Sequence, residues 1–186
     1  MNMLKTHLTG MTLVVLFAIS CTAQQNHEMD VTSIAPEVNF ALAQLTPLQN
    51  SGVSGTVTFT DEEGGVRVQA TLTGLPEGKY GFHIHQYGDC TAADGTSAGG
   101  HFNPTEHPHS GPESTERHMG DLGNIASDGA TATLDYLDSK IDMSLILGRG
   151  VIVHAAEDDL TSQPTGNAGG RLGCGVIGVG NPASVN

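Results

Sequence analysis

The chain has 186 residues, with 7 Lys plus Arg against 20 Asp plus Glu and a formal net charge of −13. This charge excludes nucleic-acid binding, because a phosphate backbone is bound by clustered Lys and Arg, and it disfavours an anionic membrane surface. Hydrophobic residues make up 38% of the chain but aromatic residues only 4%, and there are 25 Gly. This composition is typical of a single turn-rich β domain.

The N-terminal segment has the pattern of an export signal. Residues 1–20 contain an apolar run that is too short to span a membrane and ends in small residues before Cys21. The pattern resembles a bacterial lipobox, so we expect Cys21 to be the lipidated mature N-terminus of an exported lipoprotein in the periplasm or cell envelope. The alternative is ordinary cleavage nearby, for example after Ala23. Residues 21–36 are polar and predict a flexible tether, which leaves residues 37–186 as the domain.

Two further cysteines, Cys90 and Cys174, lie 84 positions apart. Because export implies an oxidising compartment, we expect them to form one internal disulfide rather than two free buried thiols. Closing a loop of this length stabilises a fold by roughly 4 to 5 kcal/mol on the chain-entropy model.

Short β-like runs separated by turns occupy most of the domain. Alternation of apolar with polar or small residues predicts the first three strands, and four further runs are strand candidates: Val38–Leu45, Gly55–Thr60, Val66–Leu72, Lys79–His85, Ala130–Leu137, Gly150–His154 and Gly175–Val179. No segment keeps a helical stripe for three turns. Seven or eight strands predict a β-sandwich or a small closed barrel. Residues 86–120 and 155–170 carry no strand pattern, and ordered loops of this length are usually functional.

Histidines cluster around the first of these loops. His83 and His85 are two residues apart on a strand candidate, so both rings project from one face and form half of a metal site. The following segment adds four histidines and a carboxylate: His101, His107, His109, His118 and Asp121. Three imidazoles and a carboxylate are a normal ligand set for tetrahedral zinc, and an ion would give this loop a fixed shape. The alternative is a chance cluster of solvated histidines.

The chain resembles the copper/zinc superoxide dismutase family in five motifs that occur in the order GFHIHQYGDC, SAGGHFNP, ERHMGDLGN, GVIVHAAEDDL and GNAGGRLGCGVIG. The resemblance covers about residues 38–180. It implies an all-β fold, a Greek-key β-sandwich or flattened eight-stranded barrel with two long functional loops. It also implies an enzyme that dismutates superoxide to dioxygen and hydrogen peroxide, with copper and zinc as cofactors.

The resemblance carries ligand roles onto matching positions. Copper would be bound by His83, His85, His101 and His154. Taken alone, His154 at the end of an apolar run is more typical of a core or strand-end histidine. Zinc would be bound by His101, His109, His118 and Asp121. His101 would then bridge both ions and act as a catalytic group. His107 could replace His109 as zinc ligand, but the eight-residue spacing of His109 from His101 is that of the family.

Two charged residues of the later motifs also match the family. Asp158 would link a copper histidine to a zinc histidine, with a plain solvated acid as the alternative. Arg171 would be catalytic and dock the superoxide anion through its planar donor fork. The alternative for Arg171 is a surface ion pair with Glu157 or Asp159. Because residues 155–170 contain no Lys, we expect weak electrostatic steering of the anion.

Two rival functions remain open at this stage: storage of copper or zinc without turnover, and adhesion by an anchored sandwich. Arg171 and the shared His101 favour catalysis, since storage requires neither an anion dock nor a releasable bridge. A homodimer is a further expectation of the family, for which Val176, Ile177 and Val179 form a candidate face. The same three residues could instead close the core.

Overall fold

This computed structural model describes residues 37–185, whose regular structure consists of nine strands, one short α-helix and two 3-10 turns. The elements in chain order are β1 (Phe40–Pro47), β2 (Ser54–Glu62), β3 (Gly65–Thr73), β4 (Gly78–His85), β5 (Asp121–Ser127), β6 (Ala132–Asp138), α1 (Met143–Ile146), β7 (Gly150–His154), β8 (Arg171–Val176) and β9 (Gly178–Val179). The predicted signal, the lipidated Cys21 and the tether lie outside the described residues. Within the described range, no helix has the length and apolar character needed to cross a membrane.

The strands close into a barrel. Antiparallel pairing runs in the order β1, β2, β3, β6, β5, β4, β7 and β8, and β8 returns to pair with β1. Strands β4, β5 and β6 are consecutive neighbours while β7 returns beside β4, which is a Greek-key arrangement. The short β9 adds to β1 outside this closure. The predicted all-β, eight-stranded barrel is therefore confirmed.

Apolar side chains alternate into the barrel as the sequence pattern predicts. In β3, for example, Val66, Val68, Ala70 and Leu72 are buried and the intervening residues are more exposed. The same alternation in β1 and β2 buries Ala41, Ala43, Val57 and Phe59 in the main core cluster. Burial of these side chains removes apolar surface from water and drives closure of the barrel.

Two features of the strand prediction were wrong. β5 was not predicted at all, and the single strand expected at Gly175–Val179 is β8 and β9 instead. Glycines caused the second error, because in β8 they allow close packing and do not mark a turn. A Cβ on Gly175 would lie 2.6 Å from the carbonyl oxygen of Gln44 on the neighbouring β1.

The two predicted loops are present at the expected bounds. Residues 86–120, here the first loop, connect β4 to β5, and residues 155–170, here the second loop, connect β7 to β8. Because β4 and β7 are antiparallel neighbours, the first loop leaves the barrel wall beside the start of β7, and the second loop leaves it from the other end of the same strand pair. The two loops meet over the outer face of this strand pair, where Asp158 of the second loop contacts both His83 on β4 and His109 in the first loop.

Candidate metal centre

The centre is built on the outer face of β4. Phe82 and Ile84 point into the core, so the alternation of the strand turns His83 and His85 outward. Both imidazoles are nevertheless fully buried, with 0% and 1% exposure, because the two loops cover this face. Outward-facing histidines of a barrel strand thus become an enclosed polar site.

Four histidines form the first ligand set: His83, His85, His101 and His154. All are buried, and each offers one nitrogen within 4.8 Å of the others. Nδ1 of His83 and Nε2 of His101 are buried and have no hydrogen-bond partner in the described part of the chain. A buried polar atom without a partner is costly, so these two nitrogens fit an ion that accepts their lone pairs.

Hydrogen bonds to backbone carbonyls fix the tautomers of the other two. Nδ1 of His85 donates to the carbonyl of Gly99 at 2.9 Å, and Nδ1 of His154 donates to that of Gly169 at 3.2 Å. Each Nε2 therefore carries a lone pair, and the two Nε2 atoms face one another at 3.3 Å. Two lone pairs at this separation repel unless a cation lies between them.

The protonation states suit a metal site. Burial lowers the pKa of His83 to about 3 and that of His154 to about 4, and it holds the pKa of His85 well below its usual value. These imidazoles are neutral near pH 7, which is the form that binds a metal ion.

A second ligand set comprises His101, His109, His118 and Asp121, the first residue of β5. Oδ1 of Asp121 lies 2.8, 2.9 and 3.1 Å from Nδ1 of His101, His109 and His118. Although burial opposes ionisation, these three contacts hold the pKa of Asp121 far below its usual range. Three imidazole nitrogens converging on one carboxylate oxygen match the donor set of tetrahedral zinc.

His101 belongs to both sets and divides its two nitrogens between them. Nδ1 faces Asp121, and the partnerless Nε2 faces the first set. Asp158 makes a second link: Oδ2 contacts Nε2 of His83 at 2.7 Å, and Oδ1 contacts Nε2 of His109 at 3.0 Å. Asp158 is 2% exposed, so the alternative of a solvated acid is wrong.

His107 takes no part in either set. Its ring is half-buried, and its backbone N–H and carbonyl are held by the side chain of Asn103 at 3.2 and 2.8 Å. The structure thus brings His109, and not His107, to Asp121.

Arg171, at the start of β8, is half-buried beside the first set. Its guanidinium donates to the carbonyls of Gly95 and Gly99, and the second of these also accepts from His85. The surface ion pairs considered for Arg171 are not formed, because Glu157 pairs with Lys79 at 3.3 Å. Asp159 instead accepts hydrogen bonds within the second loop, including one from the backbone N–H of Ser162 at 2.7 Å.

The predicted disulfide is present between Cys90 and Cys174, with a Cα–Cα distance of 5.8 Å. It joins the first loop to β8, the strand that carries Arg171. The carbonyls that accept hydrogen bonds from Arg171 belong to the same loop. The disulfide therefore fixes this part of the first loop to the barrel wall.

Three polar residues that the sequence analysis did not single out also hold the centre. The Asn124 side chain makes two hydrogen bonds with the backbone of Asp158, at 2.8 and 2.9 Å. The Gln163 side chain does the same for the backbone of His109. Arg117 is buried and donates to the backbone carbonyls of Pro112, His118 and Asp121, the last two of which belong to the second set. A cation next to His118 in an acidic chain was a usable signal for Arg117, but nothing local marked Gln163.

A closed Greek-key barrel with two buried, imidazole-rich ligand sets that share one histidine defines a protein with a dinuclear metal centre. The chain belongs to the copper/zinc superoxide dismutase family, whose model, described as copper/zinc superoxide dismutase (SODC), matches residues 53–177. Family membership makes it a superoxide dismutase with copper and zinc as cofactors.

Relatives extend the match over most of the chain. The chain is 43% identical over 181 residues to the extracellular superoxide dismutase [Cu-Zn] of Drosophila melanogaster, covering 89% of this chain and 95% of the relative. It is 44% identical over 142 residues to superoxide dismutase [Cu-Zn] A of Xenopus laevis, covering 70% and 93%. The fold is similar to the crystal structure of the clock protein EA4, with a TM-score of 0.71, 40% identity, and coverage of 77% of this chain and 96% of that one.

Proposed function

We propose that the first set holds copper, the second set holds zinc, and superoxide is dismutated to dioxygen and hydrogen peroxide at the first. The observation that carries this assignment is the division of His101: its Nδ1 serves the second set, while its buried Nε2 has no hydrogen-bond partner among residues 37–185. Copper supplies a one-electron couple between two oxidation states, whereas redox-inert zinc fixes ligand geometry.

The residues of the chain supply the proton and the anion site. One superoxide is oxidised and a second is reduced with uptake of two protons, so a proton donor is needed beside the reacting anion. Nε2 of His101 is buried beside the first set, so a proton held on this nitrogen lies next to the reacting anion. Arg171 binds the anion with the N–H groups that its two carbonyl acceptors leave free.

Activity assays on reconstituted protein test this assignment. Copper- and zinc-loaded protein should scavenge superoxide, and zinc-only protein should not. His101→Ala should abolish most of the activity, whereas His107→Ala, a matched histidine outside both sets, should retain it. Fully loaded protein without turnover would favour the storage function instead.

The electrostatic consequence of the proposal is a weak dependence of rate on salt. Arg171 is the only Lys or Arg in the sequence between His154 and the C-terminus, and Lys79 at the edge of the second loop is already paired with Glu157. Attraction of the anion thus depends on Arg171 and the bound ions, against an acidic chain. A steep fall in kcat/KM with ionic strength would contradict this expectation.

We propose that the enzyme is exported to the bacterial periplasm or cell envelope and anchored there by a lipid on Cys21. Residues 1–20 would be removed, residues 21–36 would form the tether, and residues 37–186 would form the catalytic domain. The lipobox-like sequence, the Cys90–Cys174 disulfide and the extracellular relative support export. The mass of the mature N-terminal peptide tests the anchor, and an unmodified end beginning after Cys21 would exclude it.

An exposed apolar face supports a homodimer. Val176 and Val179 are 45% and 69% exposed, whereas Ile177, from the same candidate face, is buried in the core. Tyr87 is 58% exposed, and the adjacent Gly88 packs so closely that a Cβ there would lie 2.8 Å from Val176. Val176 thus adjoins the exposed segment of Tyr87, and adjoining exposed apolar residues are typical of an interface between subunits.

Sedimentation velocity tests the dimer. Val176→Arg should shift the protein to monomer, while Leu137→Arg, an exposed apolar position on β6, should not. A stable interface provides an affinity that is roughly micromolar or tighter. A wild-type protein that remains monomeric at 100 μM would therefore contradict the proposal.

A further inference from the structure

The backbone of His109 is held by one side chain from the other loop. The N–H of His109 donates to Oε1 of Gln163 at 2.8 Å, and its carbonyl accepts from Nε2 of Gln163 at 2.8 Å. His109 belongs to no strand or helix of the described chain, so this amide takes the place of a neighbouring strand. Gln163 is 54 residues away in the sequence.

The turn that carries Gln163 has its own internal hydrogen bonds. The N–H of Gly166 donates to the carbonyl of Ser162 at 2.7 Å, and the N–H of Asp159 donates to the carbonyl of Gly166 at 2.9 Å. The Asn167 side chain bonds the Asp159 carboxylate at 3.1 Å. These hydrogen bonds fix the conformation of the turn. The Gln163 side chain therefore extends from a fixed backbone position toward the backbone of His109.

The same turn also contacts the ring of His109. Oδ1 of Asp158 lies 3.0 Å from its Nε2, and the backbone of Gly166 packs against both groups. A Cβ on Gly166 would lie 1.7 Å from that Asp158 oxygen and 2.7 Å from Nε2 of His109, and its φ of +65° also favours glycine. The second loop thus holds His109 at its backbone and at its ring.

We propose that Gln163 is a positioning residue for the second ligand set, which couples zinc binding to the order of the second loop. This inference rests on the proposed zinc assignment. Gln163 touches no ligand nitrogen; it fixes the backbone from which the His109 ring reaches Asp121. Outer groups that orient a ligand typically change metal affinity by 10- to 100-fold, and Gln163 is exposed to solvent, so we expect the lower end of this range.

Three variants of the full chain test the proposal. Gln163→Ala removes both hydrogen bonds. Gln163→Glu keeps the size of the side chain and the acceptor for the N–H, but it places a carboxylate oxygen against the His109 carbonyl. Gln69→Ala is the matched control, since the Gln69 amide bonds the exposed Asp135 on the barrel wall.

Zinc affinity by chelator competition and the visible spectrum of cobalt-substituted protein are the readouts. Both Gln163 variants should bind zinc about tenfold more weakly and show an altered cobalt spectrum. Copper affinity and the control variant should remain as in the wild type. Hydrogen exchange in residues 159–167 should slow when wild-type protein binds zinc, and Gln163→Ala should lose this response.

The outcomes separate the inference from the function on which it rests. A wild-type cobalt spectrum that is not tetrahedral would overturn the zinc assignment itself. A tetrahedral wild type with both Gln163 variants within twofold of its zinc affinity would overturn only the role of Gln163. Wild-type affinity in Gln163→Glu alone would show that the side chain merely fills space, and this result decides the matter even if Gln163→Ala fails to fold.

Discussion

The buried ion pair between Arg117 and Asp138 offers a direct test of how the first loop is held to the barrel. Nη2 of Arg117 lies 2.6 Å from both carboxylate oxygens of Asp138 at the end of β6. Its other N–H groups donate to the carbonyls of Pro112, His118 and Asp121 at 3.2, 3.0 and 3.2 Å. One guanidinium therefore fastens the segment that carries two members of the second ligand set.

The expected loss in the free energy of unfolding depends on which buried groups each substitution leaves without their partner. Arg117→Met leaves a buried carboxylate without its counter-charge and removes the guanidinium hydrogen bonds to the backbone carbonyls, so we expect a loss of about 3 to 5 kcal/mol in the free energy of unfolding. At about 2 to 4 °C per kcal/mol for a chain of this size, the melting temperature should fall by roughly 10 °C. Asp138→Asn should cost less, because the amide oxygen still accepts from Arg117 and the carbonyl contacts remain.

Urea unfolding of metal-free protein with the disulfide intact measures the effect without a contribution from metal binding. Arg67→Met is the matched control, because Arg67 pairs with Asp135 on the exposed barrel surface. Solvent screens that pair, and its removal should leave the unfolding midpoint unchanged within error. Equal effects of Arg117→Met and Arg67→Met would refute the reasoning.

Two further predictions concern pH and the disulfide. The free energy of unfolding of metal-free protein should peak near pH 6.5, the ordinary pKa of histidine. Below this pH, His83 and His154 bind protons in the unfolded chain, whereas in the folded chain they stay neutral because their pKa values are about 3 and 4. The free energy of unfolding therefore falls as the pH falls below 6.5. Above this pH, the folded chain keeps a proton on His109 that the unfolded chain releases, so the free energy of unfolding falls as the pH rises toward 9. Burial opposes this proton, but hydrogen bonds to two carboxylates outweigh burial and raise the pKa of His109 to about 9. For the disulfide, reduction of Cys90–Cys174 should lower the free energy of unfolding by about 4 to 5 kcal/mol, because the bond closes a loop spanning 84 positions.

Zinc loading is the control for the pH prediction. A His109 nitrogen that binds an ion cannot hold a proton, so the fall in stability between pH 6.5 and 9 should disappear with zinc bound. Metal-free stability that rises steadily to pH 9 would show that His109 is not protonated in the fold. For the disulfide, a loss below 1 kcal/mol on reduction would contradict the chain-entropy account.

Periodicity was sufficient to predict strands whose two faces differ. β3 alternates strictly between core and surface, and its predicted and observed bounds agree closely. β5 lacks this alternation: it begins with the buried carboxylate of Asp121 and includes Gly123 at a φ of +79°. Its partners β4 and β6 specify it as a strand, and sequence periodicity does not report pairing between distant segments.

The site shows the same division between local and distant information. The spacing of His83 and His85 and the clustering of His101, His109 and His118 indicated metal chemistry before any fold was known. Spacing could not exclude His107, because the choice depends on how the first loop folds around Asn103. Nor could it show that Asn124 holds Asp158, since those two residues meet only across β5 and the second loop.

The sequence by itself therefore determined the ligand types, their grouping along the chain and the two cysteines that form the disulfide. The tertiary structure alone decided which nitrogen of each histidine faces which ligand set, which two histidines Asp158 links, and that Gln163 holds the backbone of His109 from the second loop. The physical reason is distance along the chain. Residues about 50 positions apart have no local preference for one another, and they meet only when closure of the barrel brings β4 beside β7 and both loops across the same face.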